Sequence, residues 1–196
     1  MILPIVAYGD PILRKKGEPL TMDYPGLEEL ILNMWETMYQ ANGVGLAAPQ
    51  VGLPVRLFIV DTSPFGEDED LKVQEREQLK DFKRVFINAQ MEEESGDQWV
   101  FNEGCLSIPD IREDVTRRER ITVSYLNEKF EPCRENFDGI LARVIQHEYD
   151  HIEGVLFTDK LSSLKKRLLK SRLANIAKGK VTVEYKMRFP LQKKLR

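Results

Sequence analysis

The segment "QHEYDHIEG", Gln146 to Gly154, contains both histidines of this 196-residue chain. His147 and His151 are four residues apart, and Glu148 directly follows the first. Residues four apart on a helix lie one above the other, with Cβ atoms about 5–6 Å apart. Two imidazoles at that spacing can converge on one cation, each at about 2.0–2.1 Å. Glu148 points about 100° around the helix from His147, which suits a hydrogen bond to a water at the cation rather than ligation of the cation itself. Asp150 reads as a carboxylate outside the ligand set that orients its surroundings. This is the HExxH pattern of metal-dependent hydrolases.

Two ligands leave the site incomplete. A third histidine six residues after His151 is excluded, because Phe157 stands there. The glutamates after the motif are Glu153, too close, and Glu184, in a β-like stretch. A thiolate is the better candidate. Cys105 lies in "NEGCLSIP", where a strand runs into a glycine-flanked turn placed near Pro109, whereas Cys133, in "EPCREN", reads as a small buried filler. The expected ligands are therefore Cys105, His147 and His151, with the fourth position open to water. Three protein ligands and an open position are a catalytic arrangement rather than a structural one. A second segment, "GVGLAAPQ" (Gly43 to Gln50), has two glycines that allow close backbone approach to a ligand. Gln50 adds a neutral hydrogen-bond donor to an otherwise small and apolar run. Taken alone, this segment is a helix end followed by a tight loop.

The elements that must hold these residues follow from periodicity. "PGLEELILNMWETMYQANG" is a helix whose Leu27, Leu30, Ile31, Met34, Trp35, Met38 and Tyr39 form its apolar side. "VRLFIVDT" and "KRVFINAQ" read as strands, and the acidic stretch Ser63 to Phe82 between them as an exposed insertion with a short helix near Val73 to Leu79. "DQWVFNEGC" continues in strand, and "ERITVSYLNEKFEPCRENFDG" is a hairpin turning at Asn127 to Lys129. Gly139 to Ile152 is the histidine-bearing helix, with Ile140, Val144, His147 and His151 on its buried stripe. Leu161 to Ala177 is a basic amphipathic helix with Leu161, Leu164, Leu168, Leu169 and Leu173 as its apolar side, and "KVTVEYKMRF" is a last strand or an extended tail. Strands around a few helices without βαβ alternation predict the α+β class, with antiparallel sheets around the HExxH helix in a single domain.

Composition bounds the rest. Hydrophobic residues make up 42% and charged residues 31%, an ordinary globular balance. No apolar run approaches the ~20 residues of a membrane span, and the opening "MILPIVAYGDP" is not patterned as a signal peptide. Two cysteines do not make a disulfide framework, and the chain reads as cytoplasmic. The net charge of −3 hides an asymmetry. From Lys165 onward twelve Lys and Arg face one acid, leaving seventeen basic and thirty-one acidic residues in the remainder. This predicts a catalytic region over 1–164 and a basic extension over 165–196. The extension is either a solvated helix face with a tail or an arm for a polyanion.

Three segments, "GVGLAAPQ", "EGCLS" and "QHEYDH", together resemble the motifs of peptide deformylases in kind and order, and "GDPILRKKGEPL" resembles that family's start. The resemblance runs from Met1 to about Leu161. It implies hydrolysis of the N-formyl group of N-formyl-methionyl nascent peptides, with Fe²⁺ as the native metal and Zn²⁺, Ni²⁺ or Co²⁺ as substitutes. It also implies that Cys105, His147 and His151 are ligands and that Glu148 is the general base and acid. Gln50 and the Leu106 backbone N–H would form the oxyanion hole, with Gly45 beside the formyl group. Val44, Phe101, Ile140 and Val144 would line the methionine pocket, Gly43 would also contact the substrate, and Arg112 would stand near the substrate mouth. The ribosome is the polyanion this implies for the basic extension. Two other functions fit parts of the pattern: a non-catalytic, metal-stabilised RNA-binding module, and a relative acting on other N-acyl amines. Glu148 and the open fourth position favour a hydrolase, because a structural site needs neither.

Overall fold

The computed structural model describes residues 1–191. In chain order the elements are β1 (Ile5–Val6), α1 (Leu27–Gln40), β2 (Gly45–Ala47), β3 (Leu57–Asp61), α2 (Ser63–Gly66), α3 (Val73–Lys80), β4 (Lys83–Cys105), β5 (Ile108–Leu126), β6 (Pro132–Asp138), α4 (Gly139–Ile152), α5 (Ser163–Ala177) and β7 (Met187–Arg188). Strands β2 to β6 form one antiparallel sheet in sequence order, and β1 pairs in parallel with β7. No helix of the described residues is long and apolar enough to cross a membrane.

Strand β3 is buried on both faces, which explains its near-continuous apolar run. Its side chains alternate between two cores, as a period of two requires. Phe58 and Val60 pack with Phe86, Val123, Ile140 and Ile145 on the α4 side. Leu57 and Ile59 pack with Leu30, Met34 and Met38 of α1 on the other. Helix α4 is therefore enclosed by the fold. Its buried set extends from Ile140 and Val144 to Arg143, Gln146 and Glu148, well beyond the single stripe expected from periodicity.

The two strand segments expected on either side of Gln90 are one strand. β4 runs for 23 residues and pairs with the 19-residue β5 through four register shifts. Bulges of this kind bend and twist a long ribbon. The turn that closes it is Leu106–Ser107, with Cys105 opposite Ile108, so it lies earlier than the expected turn near Pro109. The cysteine therefore stands at the tip of a rigid hairpin.

Two further expectations are corrected. The acidic insertion is not wholly exposed. Leu79 and Phe82 are buried, and the Thr62 hydroxyl, buried as well, donates to the Leu79 carbonyl at 2.8 Å. The apolar side of α5 also differs from the expected set. Leu161, Leu169, Leu173 and Ile176 pack with Val6, Leu13, Ile108 and Phe157, whereas Leu164 and Leu168 are 65% and 70% exposed. Positions 169, 173 and 176 follow a step of four and three along one face. Leu164 and Leu168 form a neighbouring stripe about 100° away, which no element of the described residues covers.

This packing yields a stability prediction. Leu169→Ala should destabilise the fold by about 2–5 kcal/mol, and Leu168→Ala should stay within about 0.5 kcal/mol. Urea unfolding of both variants reads the difference. Equal effects would mean that α5 does not pack as described.

Candidate active site

Helix α4 carries His147, Glu148 and His151, and the hairpin tip brings Cys105 to them. The ligand atoms of Cys105, His147 and His151 all lie within 4.8 Å of one another, and no fourth Cys, His, Asp or Glu among the described residues joins them. The Cys105 sulfur is 3.3 Å from His151 Nε2. Cys133 is on β6, away from this group, with its sulfur 3.7 Å from the Glu131 carbonyl.

Behind His147 stands a carboxylate that sequence reasoning missed. Glu103 Oε2 lies 2.9 Å from His147 Nδ1. This partner keeps the Nδ1 proton in place and leaves Nε2 free as a ligand. Arg117 donates to both Glu103 oxygens, at 2.7 and 3.0 Å, and Arg143 donates to Oε1 at 2.9 Å. Arg143 also donates to the carbonyls of Val115 and Trp99 and lies 4.5 Å from the Trp99 ring centroid. Asp150 accepts from Arg117 at 2.7 Å, the orienting role expected of it. A signal for Glu103 existed: it stands two residues before Cys105, and positions two apart on a strand share a face.

Electrostatics separate the two imidazoles. Burial opposes charge on His147, but Cys105 and Glu103 overcome it and hold its proton up to about 10. Burial and the neighbouring His147 push His151 well below its ordinary value. Burial would raise Glu103, yet His147 and Arg117 keep it well below the usual carboxylate range. Surroundings that favour a proton on His147 favour a metal cation in its place, because a ligating imidazole must be neutral and a ligating thiol deprotonated.

Glu148 is 4% exposed, and its Oε2 finds no hydrogen-bond partner among the described residues. Burial raises its carboxyl to about 7, with the His147 charge opposing and the Glu103 charge assisting. The carboxyl fills the space left by the missing side chain of Gly45. A Cβ on Gly45 would stand 2.7 Å from Glu148 Cγ and Cδ, and closer still to Oε1. Gln50 is 2% exposed, and its Oε1 accepts from the Ala47 N–H at 2.8 Å. That bond turns Nε2 toward Cys105 Sγ at 3.5 Å and Ser107 Oγ at 3.4 Å.

These groups border a cleft of about 820 Å³. Gly43, Val44, Gly45, Gln50, Phe101 and Leu106 line it, as do Arg112 and Val144. Ile140, grouped with them from sequence, packs in the core with Val144 and is not among the lining residues. Arg112 is exposed and tied to Asn102, whose side-chain oxygen and carbonyl accept from it at 2.9 and 2.6 Å. Phe65, from the acidic insertion, also lines the cleft, as do Thr182 to Tyr185.

The sequence profile of the polypeptide deformylase family matches residues 2–167. The chain belongs to the peptide deformylase family. It is 65% identical to the peptide deformylase of Christiangramia forsetii over the full length of both chains. To that of Flavobacterium johnsoniae it is 63% identical, with 99% of each covered. The crystal structure of a peptide deformylase from Thermotoga maritima superposes with a TM-score of 0.71 at 38% identity, covering 83% of this chain and 99% of that one. The Legionella pneumophila enzyme gives 0.76 at 35% identity, with 89% and 95% covered. The chain is accordingly a metal-dependent hydrolase that removes the N-formyl group of N-formyl-methionine from new polypeptides. The Cys, His and His donor set fits the metal such an enzyme requires.

Glu103→Gln removes the anion behind His147 while keeping its shape. It should weaken metal binding about 10–100-fold, read by competition with a chelator. Cys105→Ser should also weaken it and Cys133→Ser should not. Wild-type affinity in Glu103→Gln would remove Glu103 from the metal centre.

Proposed function

We propose that Cys105, His147 and His151 hold the catalytic metal and that Glu148 moves the protons of deformylation. A divalent cation there supplies Lewis acidity toward the formyl oxygen and lowers the pKa of the attacking water. Glu148 takes the proton of that water as the formyl carbon is attacked. Gln50 Nε2 and the Leu106 N–H donate to the developing oxyanion, each worth about 3–4 kcal/mol when well placed. Glu148 then passes its proton to the leaving amine, and formate departs. The observation that carries this reading is the buried Glu148 carboxyl, with an unpartnered oxygen, beside a three-ligand cluster.

The metal is proposed to be Fe²⁺. A thiolate with two imidazoles suits borderline metals, so Zn²⁺, Ni²⁺ and Co²⁺ are the alternatives. The methionine side chain is placed against Val44, Phe101 and Val144, apolar walls suited to a flexible thioether. Gly43 and Arg112 border the same cleft.

The test is formate release from a formyl-Met peptide by protein purified without oxygen, with bound metal measured on the same sample. Glu148→Ala should keep the metal and lose about 10²–10⁴-fold in turnover or more. Near-normal turnover at full metal content would end its assigned role. A formyl-norleucine peptide should remain a substrate, since one methylene is worth about 1–3 kcal/mol, and formyl-Asp should not. Iron in the active fraction is expected, and full activity with zinc alone would reassign the metal.

The substrate is further proposed to be met in the cytoplasm, at the ribosome, through α5. Lys166, Arg167, Lys170 and Arg172 are exposed beside Leu164 and Leu168. Phosphate contacts by such residues release counterions, so binding should fall steeply with salt. Reversing Arg167 and Lys170 to Glu should weaken ribosome co-sedimentation and flatten its salt dependence, with turnover of a short formyl peptide unchanged. Equal co-sedimentation would refute the docking.

A further inference from the structure

The end of the described chain returns over the active-site turn. After α5, Thr182 to Tyr185 line the cleft. Strand β7 then anchors the segment against β1, with Met187 beside Ile5 and Arg188 beside Val6. The Ile5 N–H donates to the Lys186 carbonyl at 2.8 Å, and the Ala7 N–H to the Arg188 carbonyl at 2.9 Å. From this strap the Tyr185 hydroxyl donates to the Leu106 carbonyl at 2.7 Å. Tyr185 and Leu106 are both partly buried against the α1-side core.

Leu106 and Ser107 are the whole of the turn between β4 and β5. Its two carbonyls are held from outside the hairpin: Ser107's by the Tyr8 N–H at 2.8 Å, and Leu106's by Tyr185. The Leu106 N–H and the Cys105 side chain lie within one residue of that carbonyl. A turn free to rock about the Leu106–Ser107 peptide would change the direction of both. An oxyanion donor works only within about 2.7–3.1 Å of where the charge develops.

We propose that Tyr185 is a positioning residue for deformylation: its hydrogen bond to the Leu106 carbonyl lets the C-terminal strap hold the Cys105–Ser107 turn so that the Leu106 N–H meets the transition state. This rests on the assignment of that N–H to the oxyanion hole. No motif of the sequence contains Tyr185, and it lies beyond residue 167, where the family match ends. The strap is thus an active-site component added by the extension.

The test is Tyr185→Phe, which keeps the ring and removes one hydroxyl, assayed on a short formyl-Met peptide beside wild type and Gln50→Ala. The expected result for Tyr185→Phe is a roughly 5–50-fold lower kcat with KM within about twofold, the signature of an interaction felt in the transition state. Its thermal midpoint should fall by no more than about 4 °C. Amide exchange of Leu106 to Ile108 should quicken while that of β3 does not. A structural role alone would lower the midpoint and leave kcat of the folded enzyme intact. Wild-type kcat in Tyr185→Phe with a 10²–10³-fold loss in Gln50→Ala overturns the proposal and leaves the oxyanion hole standing. Wild-type kcat in both variants overturns both. Raised KM at constant kcat, or turn exchange no faster than wild type, also overturns it.

Discussion

Burying a carboxylate is costly unless donors answer it, and Glu103, almost fully withdrawn from water, has four donors on its two oxygens: two from Arg117, one from Arg143 and the His147 ring. Glu103 stands on β4 and its partners on β5 and α4, so one buried charge fastens the long hairpin to the helix that carries both histidines. Removing a single partner from such a set leaves an uncompensated buried ion, at a cost of about 3–5 kcal/mol. The set also fixes geometry. His147 cannot rotate without breaking with Glu103. Arg143 cannot shift without uncovering the Trp99 ring and the carbonyls of Val115 and Trp99. The chemical site inherits its rigidity from this ion cluster rather than from the ligands themselves.

On the opposite side of the site, the constraint is steric. Glu148 needs a place for a carboxyl beside the ligands yet out of water, and β2 provides it by having no side chain at Gly45. The same short strand leads into the turn that carries Gln50, whose amide orientation is set by the Ala47 N–H. One run of backbone therefore makes room for the Glu148 carboxyl and aims the Gln50 amide. The spacing between Gly45 and Gln50 follows from that double duty. Gly154 has a comparable steric reason. It turns the chain in the left-handed region after α4, and a Cβ there would stand 2.7 Å from the Arg14 carbonyl.

What the sequence disclosed is what depends on local spacing. The α4 range, the convergence of its histidines and the buried Leu27, Leu30, Ile31, Met34 and Met38 of α1 follow from helical repeats within one element, whereas Tyr39, expected on the same side, is 43% exposed. Cys105 over Cys133 followed from elimination and from a turn motif. The α+β class followed from the order of strands and helices. What stayed hidden depends on partners far along the chain. Glu103 meets His147 across 44 residues and Arg143 across 40. Tyr185 meets Leu106 across 79. Phe65 read as part of a polar insertion because its neighbours are acidic, and only the fold turns it into the cleft. Leu164 and Leu168 were misassigned because a helical leucine stripe records amphipathicity but not which element will cover it. The hairpin turn was placed late because Pro109 is a strong turn signal, whereas here it sits inside β5.

Charge alone suggested a chain divided between an acidic body and a basic arm, but the contacts join the two. β7 pairs with β1, α5 buries Leu169 and Leu173 against the N-terminal segment, and the Lys165 ammonium pairs with Glu113 at 2.7 Å. The two ends of the chain therefore meet at the turn that carries Cys105, where Tyr8 holds one carbonyl and Tyr185 the other. Any surface that binds the outer face of α5 consequently binds an element fixed in orientation to the cleft mouth rather than a tethered tail. A flexible arm would raise only the local concentration of substrate. A packed helix instead holds whatever binds it at a set angle to the cleft, with no linker to absorb an error. The burial of Leu169, Leu173 and Ile176 thus fixes the helix that carries the basic residues and leads into the strap that lines the cleft.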